Sequence, residues 1–164
     1  MRLKAMAKIN LGLDVLGKRE DGYHEVRMIM QTIRMYDILD IRKTRRPGIV
    51  LTTNLPFIPT DQRNLVYKAA QMLMEEFDVE EGLSIKLRKF IPVAAGMAGG
   101  SSDAAAAFVG VNRMFHLGLT EEQLMERAVK VGADVPYCIM RGTALAEGIG
   151  EKLTRLPEVP KCYV

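Results

Sequence analysis

A chain of 164 residues, 48% hydrophobic and 26% charged, has enough apolar side chains for one well-filled core, so a single globular domain is expected. Its net charge of +3 suits an anionic small molecule and falls short of the basic stripe that nucleic acid requires. Two distant cysteines, Cys138 and Cys162, suggest neither a disulfide framework nor a zinc site, and no apolar run reaches the length of a membrane span. The N-terminal MRLKAMAKIN lacks the apolar core of a signal peptide. A reducing cytoplasm is the expected compartment, with no membrane or nucleic-acid partner.

The chain opens with alternation. Over residues 2–16, Ala5, Ala7, Ile9, Leu11, Leu13 and Val15 share one face while Lys4, Lys8, Asn10 and Asp14 mark the other, which predicts a strand or a bent pair. Periodicity alone makes Lys8 a solvated strand residue, with the Asn10 amide beside it. Gly17 to His24 reads as a turn from its Asp-Gly and its charge, and a hairpin into the apolar run Val26 to Ile33 follows. Tyr23 and His24 stand at the hairpin mouth, either as surface residues or as an aromatic face and an imidazole for a ligand base. Ile38 to Arg42 reads as another short strand after Tyr36-Asp37, Arg45 to Pro47 as a basic turn, and Ile49 to Thr53 as a strand. Leu55 to Thr60 is a proline-stiffened connection. Asp61 is then placed to cap a helix whose core-facing stripe is Leu65, Ala69, Met72, Leu73 and Phe77. Asn64, in its first turn, could read an adenine edge or make a local hydrogen bond.

Gly82 to Ile91 is a strand that feeds Pro92 to Ala107, PVAAGMAGGSSDAAAA. Gly96, Gly99 and Gly100 fall at a strand-to-helix turn, and an Ala-rich helix begins near Ser101 and ends near Leu117-Gly118. Ser101 or Ser102 could cap that helix, with Asp103 favouring its dipole. Three glycines, two hydroxyls and a run of tiny residues at one helix start favour a second reading: backbone N–H groups converging on a phosphate. No Lys precedes Ser101, so this is not a Walker loop, and a cation and a base must come from elsewhere. Thr120 and Gln123 form a capping-box pattern for the next helix, which ends at Gly132. Asp134, between Gly132 and Pro136, is either an Asx-turn or a carboxylate held at a rigid corner. Thr143 to Glu147 and Glu151 to Leu156 read as a hairpin about Gly148-Ile149-Gly150. The final KCYV begins another strand, which suggests that a C-terminal part is missing.

The chain resembles the GHMP kinase superfamily, whose loop follows P-x-x-x-G-L-x-S-S-[AS]-A. Pro92 to Ala104 carries it, with Met97 for the usual Leu and an extra glycine before the serines. KINLGLDVLGKREDGYHE at residues 8 to 25, and GADVPYC with AEGIGE at residues 132 to 151, extend the likeness from end to end. The first of these is similar to members that phosphorylate a cytidine diphosphate derivative in non-mevalonate isoprenoid synthesis. The resemblance implies an α+β fold, that of the ribosomal protein S5 domain 2-like N-terminal domain, with residues 1–164 as the ATP-binding domain and a second domain absent. It implies ATP and Mg²⁺, with Asp134 as the base for the acceptor hydroxyl and Lys8 as the cation that keeps it charged and stabilises the transferring phosphoryl group. Asn10 would hold the substrate, and Tyr23 and His24 would stack on and hydrogen-bond the cytosine. Pro92, Val93, Ala94, Ala95, Gly96, Met97, Ala98, Gly99, Gly100, Ser101 and Ser102 would wrap the ATP phosphates, with Asn64 by the adenine. No acidic residue falls at an obvious place for a magnesium ligand, which leaves a loop serine. The alternatives are a homoserine- or mevalonate-type kinase of the same superfamily, or a non-catalytic nucleotide- or RNA-binding module of the S5 type.

Overall fold

Two long strands carry the architecture. In the computed structural model, which describes residues 1–164 apart from Arg19, Asp21, Tyr23, Lys161 and Val164, β1 (Arg2–Lys18) pairs antiparallel with β2 (His24–Thr44) from Arg2 opposite Asp40 to Lys18 opposite His24. The two short strands expected at Val26 to Ile33 and Ile38 to Arg42 are therefore one continuous strand. Tyr36-Asp37 does not break it, because both residues keep partners on β1, and the Asp37 carboxylate turns inward to accept from the Phe90 and Ile91 amides.

Along its other edge β2 is shared. Residues 38–44 pair antiparallel with β4 (Gly82–Arg88), and residues 26–31 pair antiparallel with β5 (Thr143–Gly148). β3 (Ile49–Thr53) lies parallel to β4, joined to it through helix α1 (Leu65–Glu76), and β6 (Lys152–Arg155) completes the far side next to β5. Cys162 and Tyr163 lie in no strand, contrary to the strand expected at the C-terminal KCYV.

Alternation decides which face is covered. Leu39, Ile41, Leu83, Ile85 and Leu87 are at most 1% exposed under the helices, whereas Arg42 and Lys86 on the opposite face are open to solvent. Each such fully buried side chain contributes about 1.5–3 kcal/mol. Helix α1 presents Val66, Ala69, Ala70 and Leu73, an i, i+3, i+4, i+7 stripe. Helix α2 (Gly99–Phe115) runs through the centre, and its buried Ala104 to Ala107 let it approach the sheet and both neighbouring helices closely. At Gly110 the approach is closest: a Cβ there would lie 2.4 Å from Ile41 Cδ1 and 2.8 Å from Leu3 Cδ1. The remaining helices are α3 (Glu121–Ala128), closed by the capping box expected from Thr120 and Gln123, and the short α4 (Val135–Met140).

Two local expectations are corrected. The side chain that caps α1 is Asn64, whose Oδ1 accepts from Val66 N at 2.9 Å, while Asp61 pairs with Arg63 at 2.7 Å. Leu11, Leu13 and Val15 do not face the core: they are 50%, 50% and 59% exposed. Every residue of β1 from Asn10 to Lys18 is exposed, so neither face of this part of the hairpin is covered.

Candidate active site

The loop after β4 is built from left-handed residues. Ala94, Gly96 and Ala98 have φ of 60°, 72° and 53°, so every second residue is left-handed, the pattern that turns successive N–H groups toward one point. For the two alanines this conformation costs on the order of 1–2 kcal/mol each. Helix α2 starts at Gly99, two residues earlier than expected, and neither serine caps it. Its N-cap is Ala98, without a side-chain bond, and Ser102 Oγ donates to the Gly99 carbonyl at 3.0 Å. The first-turn amides are thus left for an outside acceptor, at the positive end of a 17-residue helix. The packing at Gly99 is tight, since a Cβ would lie 3.2 Å from both Ile91 Cγ2 and Lys89 Nζ.

These amides border a cleft of about 490 Å³. Pro92 through Ser101 form one wall, and Asn64, Arg63, Asp103 and Asp134 contribute to the rest. Asn64 is engaged locally at both ends of its amide, donating from Nδ2 to the Pro59 carbonyl at 2.8 Å while its oxygen caps α1.

Lys8 is 5% exposed rather than solvated. A register shift between Met6 and Lys8 turns its side chain inward, and its backbone N–H donates to the Met97 carbonyl at 3.2 Å, which ties the loop to β1. Lys8 Nζ donates to Asn10 Oδ1 at 3.0 Å and lies 3.9 Å from Asp134 Oδ2. Asp134 occupies the N-cap of α4 yet makes no capping bond, so the Asx-turn does not form and its carboxylate faces the cleft, 31% exposed. Pro136 in the first turn stiffens that corner. The structure therefore brings together Lys8, Asn10, Asp134 and the loop, residues scattered over most of the sequence. His24 is not with them. It opens β2, exposed, six residues along the strand from Met30, the partner of Asn10, or about 20 Å away. Tyr23 lies outside the described residues.

Below the loop is a cluster that the sequence reading missed. Lys89 Nζ donates to Asp37 Oδ2 and, at 2.7 Å, to Asp103 Oδ2, all three side chains being at most 5% exposed. Asp37 Oδ1 also accepts from Phe90 N at 2.5 Å and Ile91 N at 2.8 Å. One ammonium shared by two carboxylates thus fixes β2, the end of β4 and the first turn of α2 to one another. Burial pushes the Asp103 carboxyl up to about 8, with the nearby Asp37 charge adding to the rise and Lys89 opposing it. Asp103 Oδ1 has no hydrogen-bond partner. A signal existed in the sequence: Lys89 continues the inward period of Leu83, Ile85 and Leu87, and Asp37 that of Leu39 and Ile41. Period two places both charges in the core, where each requires the other.

Residues 64–142 match the family described as GHMP kinases N terminal domain. This segment is similar to a GHMP kinase N-terminal domain. Over its whole length the chain is 57% identical to a 4-diphosphocytidyl-2-C-methyl-D-erythritol kinase of Lachnospira eligens, covering 57% of that protein. It is 58% identical over 98% of its length to the protein of the same name from Lachnoclostridium phytofermentans, covering 55% of it. The chain thus spans little more than half the length of these relatives. A crystal structure of a 4-(cytidine 5'-diphospho)-2C-methyl-D-erythritol kinase superposes with a TM-score of 0.83 at 35% identity, covering 95% of this chain and 55% of that one. The α+β GHMP fold expected from the sequence is the one observed.

Proposed function

We propose that this chain is the ATP-binding part of a kinase that transfers the γ-phosphoryl group of ATP to the 2-hydroxyl of 4-diphosphocytidyl-2-C-methyl-D-erythritol. The observation that carries the proposal is the Lys8–Asp134 pair, 3.9 Å apart, beside the uncapped start of α2. Phosphoryl transfer asks for positioning and for neutralisation of charge on the transferring group, with little covalent work from the protein. The loop amides and the helix dipole seat the phosphates of ATP, with Asn64 by the adenine. The Asp134 carboxylate, free of capping duties, accepts the acceptor's hydroxyl proton, and the Lys8 ammonium stabilises charge as it develops. Asn10 gives its oxygen to Lys8 and keeps its amide hydrogens for the substrate. The hairpin tip, where the sequence places Tyr23 and His24, receives the cytosine of this elongated substrate.

Magnesium fits this arrangement as a companion of the nucleotide. No cluster of three acidic, His or Cys side chains forms a metal cage among the described residues, and Mg²⁺ bound to phosphates takes only one or two protein oxygens. The Ser101 hydroxyl, which lines the cleft, is the loop side chain we assign to it; the ion would neutralise phosphate charge there. Residues 1–164 form the ATP-binding domain in this reading, and the length of the relatives that lies outside the match completes the catalyst. No helix among the described residues is long and apolar enough to cross a membrane, and we place the protein in the cytoplasm.

Calorimetry with a non-hydrolysable ATP analogue and Mg²⁺, and with the cytidyl substrate, tests the binding halves of the proposal separately. A transfer assay on the chain extended to the length of its relatives tests the chemistry. Both ligands should bind, and phosphate should pass to the cytidyl substrate in preference to mevalonate or homoserine. A folded sample that binds neither ligand, or an extended chain that prefers mevalonate, would overturn the proposal.

A further inference from the structure

A second cavity, of about 520 Å³, opens between β1, α2, α3 and α4. It lies at the far end of α2 from the loop. Gly99 and Arg113 bracket 14 helical steps, or about 20 Å, and the two cavities share no lining residue. Its floor is apolar, formed by Leu3, Val109, Leu124 and Ile139, and its rim is cationic.

The cations that matter are Arg113 and Arg141. Neither guanidinium has a carboxylate partner among the described residues: Arg141 Nη2 donates only to the Lys4 carbonyl, at 2.9 Å, and Arg113 makes no side-chain bond. The carboxylate lining the cavity, Glu121, is held by Arg155 at 2.5 Å, and the rim's Arg2 is held by Asp40 at 2.7 Å. Arg113 and Arg141 line the same cavity, and partial burial lowers the pKa of Arg141, with the Arg113 charge acting in the same direction. Arg113 has a simple structural account, since a cation in the last turn of α2 favours its dipole. Arg141 has none. Its backbone sits at φ 61°, ψ −177°, a region essentially reserved for glycine. Gly142 pins it there, donating to Thr32 Oγ1 at 3.1 Å and accepting from Tyr137 Oη at 2.7 Å. A strained residue thus carries a guanidinium without a carboxylate partner to the cavity that Arg113 also lines.

We propose that this cavity binds an amphipathic organic phosphate: a phosphate or diphosphate ester whose charge lies between Arg113 and Arg141 and whose short apolar group rests on the floor. Two guanidiniums offer forked donors that match phosphate oxygens, and an anion between them removes their mutual repulsion.

Calorimetry on this chain tests it, with n-pentyl phosphate, n-pentyl diphosphate, inorganic pyrophosphate and n-pentanol as probes at fixed salt, with and without a saturating ATP analogue. At least one pentyl ester should bind at least tenfold more tightly than pyrophosphate, pentanol should give no heat, and the ATP analogue should leave the affinity unchanged. Arg113→Ala and Arg141→Gly should each weaken binding at least tenfold. Glycine suits the backbone at 141, so the second variant removes the charge while relieving the strain, and Arg113→Ala, at an exposed position, carries the test if that variant fails to fold. Four outcomes would overturn the proposal: no binding of either ester, equal affinity for pyrophosphate, displacement by the ATP analogue, or undiminished affinity in a folded variant.

Discussion

Replacing Asp103 by Asn keeps the shape of the buried cluster with Lys89 and Asp37 and removes a titration from it. In the folded chain the Asp103 carboxyl is raised from 3.8 to about 8, chiefly by burial. Between those values the fold holds a proton that the unfolded chain has released, so stability declines as pH rises from about 4 to about 8 and levels off above. The full contribution is present only below the unfolded value. One proton held across two pH units, from 6 to 8, corresponds to roughly 3 kcal/mol as a ceiling. Relaxation and water entry around a buried ion lower that figure, so a loss of about 1.5–3 kcal/mol is expected for the natural chain. In the Asp103→Asn variant the side-chain amide keeps an oxygen for Lys89 and does not titrate. Urea denaturation of both proteins at pH 6 and pH 8, at one ionic strength, measures the difference, and titrating groups outside the cluster cancel between them. Parallel pH dependence in the two proteins would refute the reasoning, for it would show that Asp103 is ionised in the fold at both pH values.

Asp134→Asn and Lys8→Ala, in the chain extended to the length of its relatives, should each lower phosphoryl transfer by roughly 10²–10⁴-fold. Binding of an ATP analogue to Asp134→Asn should stay within a few-fold, so rate and calorimetry together separate chemistry from seating. Ala98→Gly removes the left-handed alanine at the start of α2: relief of about 1–2 kcal/mol opposes a glycine entropy cost of about 0.5–1 kcal/mol. The urea midpoint should therefore hold or rise, by up to about 1.5 kcal/mol in stability. Gly110→Ala should destabilise by about 1–3 kcal/mol, because the new methyl meets Ile41 Cδ1 at 2.4 Å and Leu3 Cδ1 at 2.8 Å, and a fall in melting temperature reports it.

Most elements were legible because their signals are local. The capping box at Thr120, the glycine turn at 148–150 and the stripe of α1 each need only a few neighbouring residues to be read. What escaped depends on partners far away in the chain. Asp37 looks like part of a turn until Phe90 and Ile91 supply the amides that draw it inward. Lys8 looks solvated until a ladder irregularity and the Met97 carbonyl fix it under the loop. The composition of the glycine-serine loop suggested an anion seat. What it did not show is the local geometry: left-handed alanines stand before a helix start that neither serine caps. The exposure of Leu11, Leu13 and Val15 had no local signal, because alternation marks a face but not whether another element covers it.

The shared edge of β2 also bears on how the chain is made. Residues 38–44 find their partner at 82–88, but residues 26–31 wait for 143–148. A ribosome adds the intervening stretch in on the order of ten seconds, during which residues 26–31 of the central strand have one bare edge. Non-local pairing of this kind slows folding, and the exposed ladder invites strand addition from other chains in the interval. Asp134 is synthesised just ahead of β5, so the cleft can close around its carboxylate only at the end of that wait. The same segment therefore ends the vulnerable period and completes the site.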